Sequence, residues 1–388
     1  MYTSNESLKK IRRVLCFLLL ILFCKSISAS ASNYSESDSL NFIFKAGEDG
    51  YSCFRIPALI YTRSGSLLAF AEARRVNCGD SGDIDLVVKR SSDKGKTWSK
   101  MNLVWSDSTN TCGNPVPLQD QSTGKIWLIS TWNLGTDHEK QIVDGSAKDG
   151  RHVYTLSSSD DGKSWSKPTE ITAQVKKPGW TWYATGPCHG VQIVKGKYAG
   201  RLVVPINHIE SATNQNFAHI MYSDDHGKSW KLGNNTLQDK MNETTVAEIS
   251  GGRLMLNMRN GDRAIKTRHT ATSIDGGDTW SNVDVDTTLI EPICQGSLLS
   301  YFFGKDKPTL FFSNPASNKN RINITLRMSV NDGKTWNHSL VLHRGPSAYS
   351  DLSIIDKNTI GCFFEAGYAK PYEGIVFKAI KYSDLKNN

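Results

Sequence analysis

Ser91-Ser92-Asp93-Lys94-Gly95-Lys96-Thr97-Trp98 follows the pattern Ser-x-Asp-x-Gly-x-Thr/Ser-Trp, which returns at Ser158–Trp165, Ser223–Trp230, Ser273–Trp280 and Ser329–Trp336. The last copy carries Asn331 in place of the aspartate, and the Trp-to-Trp spacings are 67, 65, 50 and 56 residues. Asp and Gly at this spacing favour a tight turn in which the carboxylate accepts backbone N–H groups. The tryptophan packs beneath it. Runs rich in β-formers precede the boxes, among them Ile84-Asp85-Leu86-Val87-Val88 and Ile220-Met221-Tyr222. A polar turn after such a run is a hairpin. Further strand candidates, such as Leu67–Phe70, Ile126–Ile129, Arg201–Val204 and Leu254–Leu256, lie between boxes. A hairpin every 50 to 70 residues with room for two more strands is the spacing of propeller blades. Residues from about 40 to 385, at about 57 per unit, predict an all-β, six-bladed β-propeller. The boxes are read as structural, because a repeated turn is poorly suited to building one asymmetric site.

The 388 residues carry a formal charge of 46 − 38 = +8, with 38% hydrophobic and 22% charged residues. That balance excludes disordered, collagenous and disulfide-dense classes. Residues 1–31 read as a cleaved signal peptide: Lys9, Lys10, Arg12 and Arg13 form a basic region, Val14 to Cys24 an apolar run, and Ala29-Ser30-Ala31 a small-residue cleavage pattern. An uncleaved signal-anchor is the alternative reading. This segment holds five Lys/Arg and one acid, leaving 41 − 37 = +4 for residues 32–388, expected to be one propeller domain. No basic block remains to suggest nucleic acid. Export through the secretory pathway follows, to a periplasmic, extracellular or lysosomal destination. Six cysteines lie outside the signal, spaced too widely for a CxxC zinc site. Cys53 can pair with Cys78; free buried thiols are the equal alternative.

One non-repeated motif is Phe54-Arg55-Ile56-Pro57. With the boxes, and with LLAFAEAR (67–74), WYATGPCHGVQ (182–192), LMLNMR (254–259), Ser313-Asn314-Pro315 and GPSAYSDL (345–352), the chain resembles the Asp-box exo-sialidases, or neuraminidases, over nearly its whole length beyond the signal. The resemblance implies a six-bladed propeller that cleaves terminal α-linked sialic acids with retention. A sialic acid carries a carboxylate at its anomeric carbon, and guanidinium forks bind carboxylates with bidentate, charge-assisted bonds. The resemblance assigns this task to Arg55, Arg259 and Arg321, with Arg327 as the rival for the third place and read as structural. Glu365 matches the glutamate that orients the first arginine.

Among retaining glycosidases, sialidases are the exception that use a tyrosine nucleophile. A carboxylate nucleophile would face the substrate's own carboxylate, whereas a neutral phenol avoids that repulsion. With a pKa near 10, the phenol needs a base. The resemblance implies Tyr349 as nucleophile and Glu243, 16 residues before Arg259, as its base, preferred over Glu248. Asp80, six residues after Arg74, is expected to be the acid/base. Asp83 and Asp85 compete with it, and Asp85 alternates with strand residues. Asn114 is expected to bond the sugar's amide or hydroxyl groups, and Glu139 its glycerol arm or the base. Trp180, Trp182, Tyr183 and His189 either line the pocket or pack the core. Asp120 reads as hairpin chemistry.

The expected function is that of a secreted exo-α-sialidase acting on glycoproteins, gangliosides and oligosaccharides, some of them at membrane surfaces. No metal, organic cofactor or obligate protein partner is implied. Trans-sialidases carry an aromatic platform just ahead of the third arginine; Asn318-Lys319-Asn320 stands there instead, which points to hydrolysis. A trans-sialidase and a non-catalytic sialoglycan-binding propeller are the alternatives. Of five N-x-S/T acceptors beyond the signal, at Asn33, Asn234, Asn242, Asn323 and Asn337, those at Asn242 and Asn323 adjoin expected site residues.

Overall fold

The computed structural model describes residues 39–387, so the predicted signal peptide lies outside the described residues. Leu40–Asn388 forms one compact unit. It is all-β, with 49% strand and 5% helix.

The strands follow one another as antiparallel runs. Cys53–Tyr61, Leu67–Arg74 and Ile84–Ser91 pair in order, with Asn102–Trp105 outermost. Thr111–Gln119, Ile126–Asn133 and His152–Ser158 repeat the arrangement, as do Met241–Ile249, Arg253–Asn260 and Thr267–Ser273. The long strand His338–Asp356 serves two runs. Its first half pairs with Ile322–Ser329 and its second half with Thr359–Ala366. The N-terminal strand Phe42–Lys45 completes the last run by pairing with Gly374–Lys381.

Every residue of Leu67–Arg74 is buried, and eight of the nine in Cys53–Tyr61 are. Near-continuous apolar runs of this kind arise when both faces of a sheet are covered. The core is accordingly divided among interfaces between successive runs. One cluster joins Val116, Leu118 and Trp127 to Leu202, Val204 and Trp230.

The boxes hold these interfaces. In the first, the Ser91 hydroxyl donates to Asp93 at 2.7 Å, the Thr97 amide and hydroxyl donate to the same carboxylate at 2.9 and 2.6 Å, and Gly95 N–H donates to Ser91 Oγ at 2.8 Å. Asn331 preserves the scheme in the last copy, its amide donating to Thr335 Oγ1 at 3.0 Å. The box glycine sits at positive φ against a side chain of the preceding run. A Cβ on Gly227 would lie 2.3 Å from the Trp127 ring, and one on Gly95 would lie 2.1 Å from Phe377. The residue before the glycine reaches the same way, by its side chain in four boxes: Lys94 to Asp356 at 2.7 Å, Asp161 to Arg90 at 2.7 Å, His226 to Asp120 at 2.8 Å, and Asp332 to Arg253 at 3.0 Å. In the box at Ser273–Trp280 it does so by its carbonyl, Gly276 O accepting Arg201 Nη1 at 2.9 Å. Asp120 is therefore turn chemistry, as expected. The tryptophans close the turns, Trp230 lying edge-on to Trp127 at 6.4 Å.

Hydrogen bonds from Ser164 hold the Asp160 carboxyl down at about 2. Asp160→Ala should lower unfolding free energy by on the order of 1 kcal/mol at neutral pH. Because the folded value lies below the ordinary one, that difference is fully present above about pH 4 and fades as pH falls through about 2. Urea melts of both proteins across that range check the sign.

Candidate active site

The first strands of several runs converge on one cavity of about 450 Å³. Its walls include Arg55, Arg74, Arg151, Arg259, Arg263 and Arg321 against Glu72, Asp80, Glu139 and Glu243, a balance of 6 − 4 = +2. An enclosed excess of guanidinium suits an anion.

Arg55 lies at a register shift in its strand, between Arg55 and Ala58. Ile56 adopts φ 57°, and Pro57 follows. This kink releases the Arg55 side chain from the ladder. Its Nε donates to Glu365 Oε1 at 3.1 Å and its Nη2 to Oε2 at 3.4 Å. The same carboxylate accepts Ile56 N–H at 2.9 Å and Tyr349 N–H at 3.1 Å. Glu365 is fully buried, and its four bonds satisfy both oxygens.

Tyr349 donates its phenolic hydrogen to Glu243 Oε1 at 2.5 Å, and Arg259 Nη1 bridges the pair, 2.6 Å from Glu243 Oε2 and 3.1 Å from Tyr349 Oη. Burial, reinforced by Glu243, pushes the phenol well above its ordinary value, so it rests protonated. Arg321 donates to Tyr372 Oη at 2.6 Å and to Ile293 O at 3.2 Å and, among the described residues, has no ion pair with a carboxylate. Its free donors leave room for an incoming anion.

Asp80 is held from behind, with Arg74 Nη1 at 2.7 Å and Arg55 Nη1 at 3.2 Å from Oδ1. Its side chain remains 70% accessible, yet it sits in a recess that withdraws water. Burial in that recess raises its pKa; Arg74 and Arg55 outweigh this and hold the carboxyl below the usual range. Burial pushes the Glu139 carboxyl up, against the pull of Arg151. Asn114, at φ 54°, accepts from Arg151 Nη2 at 2.8 Å.

The residues Arg55, Arg259, Arg321, Tyr349, Glu243, Asp80, Asn114 and Glu139 are thus brought together, with Glu365 directly behind them. The rivals fall elsewhere. Asp85 accepts from Tyr51 at 2.6 Å, and Asp83 pairs with Arg75 at 3.4 Å. Glu248 accepts Val194 N–H at 2.6 Å, and Arg327 donates to Asn314 at 2.9 Å. Trp182 lines the cavity, whereas Trp180 stacks on His208 at 3.5 Å and His189 bonds buried Asp351 at 2.7 Å. Asn242 lines the cavity, its side chain capping Glu243 N–H at 2.7 Å.

Sequence reasoning missed several members. Glu72 and Arg74 pair inside the cavity, and Glu72 Oε1 also accepts Asn114 N–H at 2.7 Å. Their i, i+2 spacing in an otherwise apolar strand puts both on one face, which was the available signal. Arg151 stacks over Trp182 at 4.0 Å, and burial pulls it down to about 10. It stands in a loop without a motif. Buried Arg268 braces the site from beneath, bonding Glu291 at 2.7 Å and Cys294 O at 2.9 Å; Glu291 in turn accepts Asn260 N–H, beside Arg259. Among the described residues, no group of three or more His, Cys, Asp or Glu is gathered as a metal ion would require.

The BNR repeat-like domain family matches residues 65–362. A sialidase of Bacteroides fragilis (strain YCH46) is 37% identical over 88% of this chain and 64% of its own length. An exo-alpha-sialidase of Arthroderma benhamiae is 30% identical over 87% of this chain and 85% of its own. The chain belongs to the sialidase family. Among solved structures, the Hadza microbial sialidase Hz136 superposes with a TM-score of 0.81 at 34% identity, over 89% of this chain and 69% of that one. The chain spans 64% of the Bacteroides sialidase's length.

Removing the charge of Glu365 strands Arg55 in the interior. Glu365→Gln should destabilise the protein by about 3 kcal/mol. Urea unfolding checks the loss, and anion binding titrated on the same variant should weaken with it.

Proposed function

We propose that the protein is an exo-α-sialidase that hydrolyses terminal α-linked sialic acids with retention, through a tyrosyl intermediate. The observation that carries the proposal is the pairing of buried Tyr349 with Glu243, bridged by Arg259 in a cavity that Arg55 and Arg321 also line. The antiparallel runs are read as six propeller blades, and the first blade's loop supplies Asp80. The segment 1–31 is proposed to direct export. The Cys53–Cys78 disulfide supports an oxidising destination.

In this mechanism Arg55, Arg259 and Arg321 bind the substrate carboxylate and fix the anomeric carbon beside Tyr349 Oη. The oxygen attacks that carbon as its proton passes to Glu243 Oε1. The glycosidic C–O bond breaks, and Asp80 protonates the departing oxygen. Asp80 then takes a proton from water, the water oxygen attacks the anomeric carbon, and Tyr349 leaves with the proton stored on Glu243. Asn114, Glu139, Arg151 and Trp182 line the remainder of the cavity, where the hydroxyl and acylamino groups of the sugar would lie. Glycoproteins, gangliosides and sialyl-oligosaccharides are the proposed substrates.

The protonation of Asp80 follows from the same geometry. Without substrate, Arg55 and Arg74 keep it ionised. A substrate carboxylate claims part of Arg55 and brings a like charge near Asp80, and both effects raise its pKa. The alkaline limb of kcat should therefore lie at higher pH than that of kcat/KM, since the first reports the complex and the second the free enzyme. Coincident limbs on sialyl-lactose would remove this account of Asp80.

The nucleophile is tested by trapping. An electron-withdrawing fluorine beside the anomeric carbon slows breakdown of a glycosyl–enzyme bond. 2,3-Difluorosialic acid should release its anomeric fluoride and add one 3-fluorosialyl mass to the peptide containing Tyr349, and Tyr349→Phe should lose both the adduct and at least about 100-fold in kcat. A label on another residue would refute the assignment, and failure of the wild-type protein to cleave sialyl-lactose would refute the activity.

A further inference from the structure

The loop that carries Asp80 has little packing of its own. Between Arg74 and Ile84, residues Arg75, Val76, Asn77, Gly79 and Asp80 are exposed, and Val76 is 75% accessible. One of its ties to the cavity is covalent. Cys78, two residues before Asp80, is disulfide-bonded to Cys53, two residues before Arg55, with Cα atoms 5.3 Å apart. Cys53 is fully buried in the strand that presents Arg55. The remaining ties near Asp80 are polar: Ser81 Oγ lies 2.6 Å from His138 Nδ1, Gly82 N–H donates to Thr111 Oγ1 at 3.1 Å, and Arg55 Nη1 donates to Asp80 Oδ1 at 3.2 Å. Arg74 Nη1 donates to Cys78 O at 2.6 Å, Gly79 O at 2.8 Å and Asp80 Oδ1 at 2.7 Å. That nitrogen bears two hydrogens for three acceptors. Ion pairs of an accessible carboxylate are weak restraints against water.

We propose that Cys53–Cys78 is a positioning pair for Asp80, which makes hydrolysis of substrates with poor leaving groups sensitive to thiol reduction. The inference rests on the reading of Asp80 as the acid. A dithiol supplies two electrons and two protons: the S–S bond breaks, Cys53 and Cys78 become thiols, and the dithiol closes to its cyclic disulfide. Cys112, Cys188, Cys294 and Cys362 are already free and buried, so among the described residues reduction changes this link alone. Once released, the loop no longer keeps the Asp80 carboxyl at the leaving oxygen. Arg259, Tyr349 and Glu243 stand on strands that carry neither cysteine, and Arg55 is fixed by Glu365 independently of the link.

The test is native-state reduction of the full-length protein with dithiothreitol, assayed on 3′-sialyl-lactose and on an aryl sialoside whose phenolate leaves without protonation. The expected loss in kcat/KM is about 10-fold or more on sialyl-lactose and under about twofold on the aryl sialoside. Reoxidation should restore the first rate. Asp80→Asn should give the same split between substrates, and Cys53→Ser/Cys78→Ser should show it without reductant and respond no further to dithiothreitol. Equal losses on both substrates, no loss on either, or collapse of the cooperative thermal melt on reduction would each overturn the proposal. The last outcome would make the link a staple of the whole fold. An oxidised wild type that cleaves neither substrate would instead overturn the sialidase reading, and this inference with it.

Discussion

The carboxylate of Glu365 is the point on which the site depends. It is fully buried and spends its oxygens on the Arg55 guanidinium, the Ile56 amide and the Tyr349 amide. One anion thereby fixes the first arginine, the kinked backbone beneath it and the strand bearing the proposed nucleophile. A buried charge is tolerated only when its partners surround it, and removing either member leaves the other stranded. Such a contact offers little net stability for its desolvation. Its return here is geometric: strands more than 300 residues apart in sequence are held in register at one atom group.

Around that anchor, charge is arranged in layers. Arg259 pairs with Glu243 while touching Tyr349, whose phenol burial keeps protonated. Arg74 is committed to Glu72 and to the Asp80 loop. Arg321 donates to a phenol and a backbone carbonyl, lies over the Tyr349 ring, and keeps donors for a ligand. Arg268 and Glu291 form a second buried pair below, linking the backbone at Asn260 to that at Cys294. The cavity can carry an excess of guanidinium because Arg55, Arg74, Arg151, Arg259 and Arg321 each also have a fixed partner on the protein side.

The boxes solve a separate problem. Each turn closes on its own Asp or Asn, and the two positions that follow lean on the run before, the glycine through close approach and its neighbour through a polar bond. Local turn chemistry and contact between runs are thus encoded in the same eight residues. This accounts for the persistence of the pattern at sites with no share in the cavity.

The sequence by itself determined the all-β class, the repeating hairpins and most of the cavity's charged members. These depend on signals a few residues long: a turn that needs Asp and Gly in order, a Phe-Arg-Ile-Pro kink, a tyrosine in a fixed motif. The resemblance also placed Asp80, six residues after Arg74, ahead of Asp83 and Asp85, and Asp85 alternates with the apolar residues of a strand, which counts against it. Only the tertiary structure decided that Glu72, Arg74, Arg151 and Tyr372 join the site, which of the paired and free thiol readings holds for Cys53 and Cys78, and where Trp180 and Trp182 part company. Those outcomes depend on which runs become neighbours. A lone arginine in a loop, or two cysteines 25 residues apart, carries no local mark of the partner that folding brings within bonding distance.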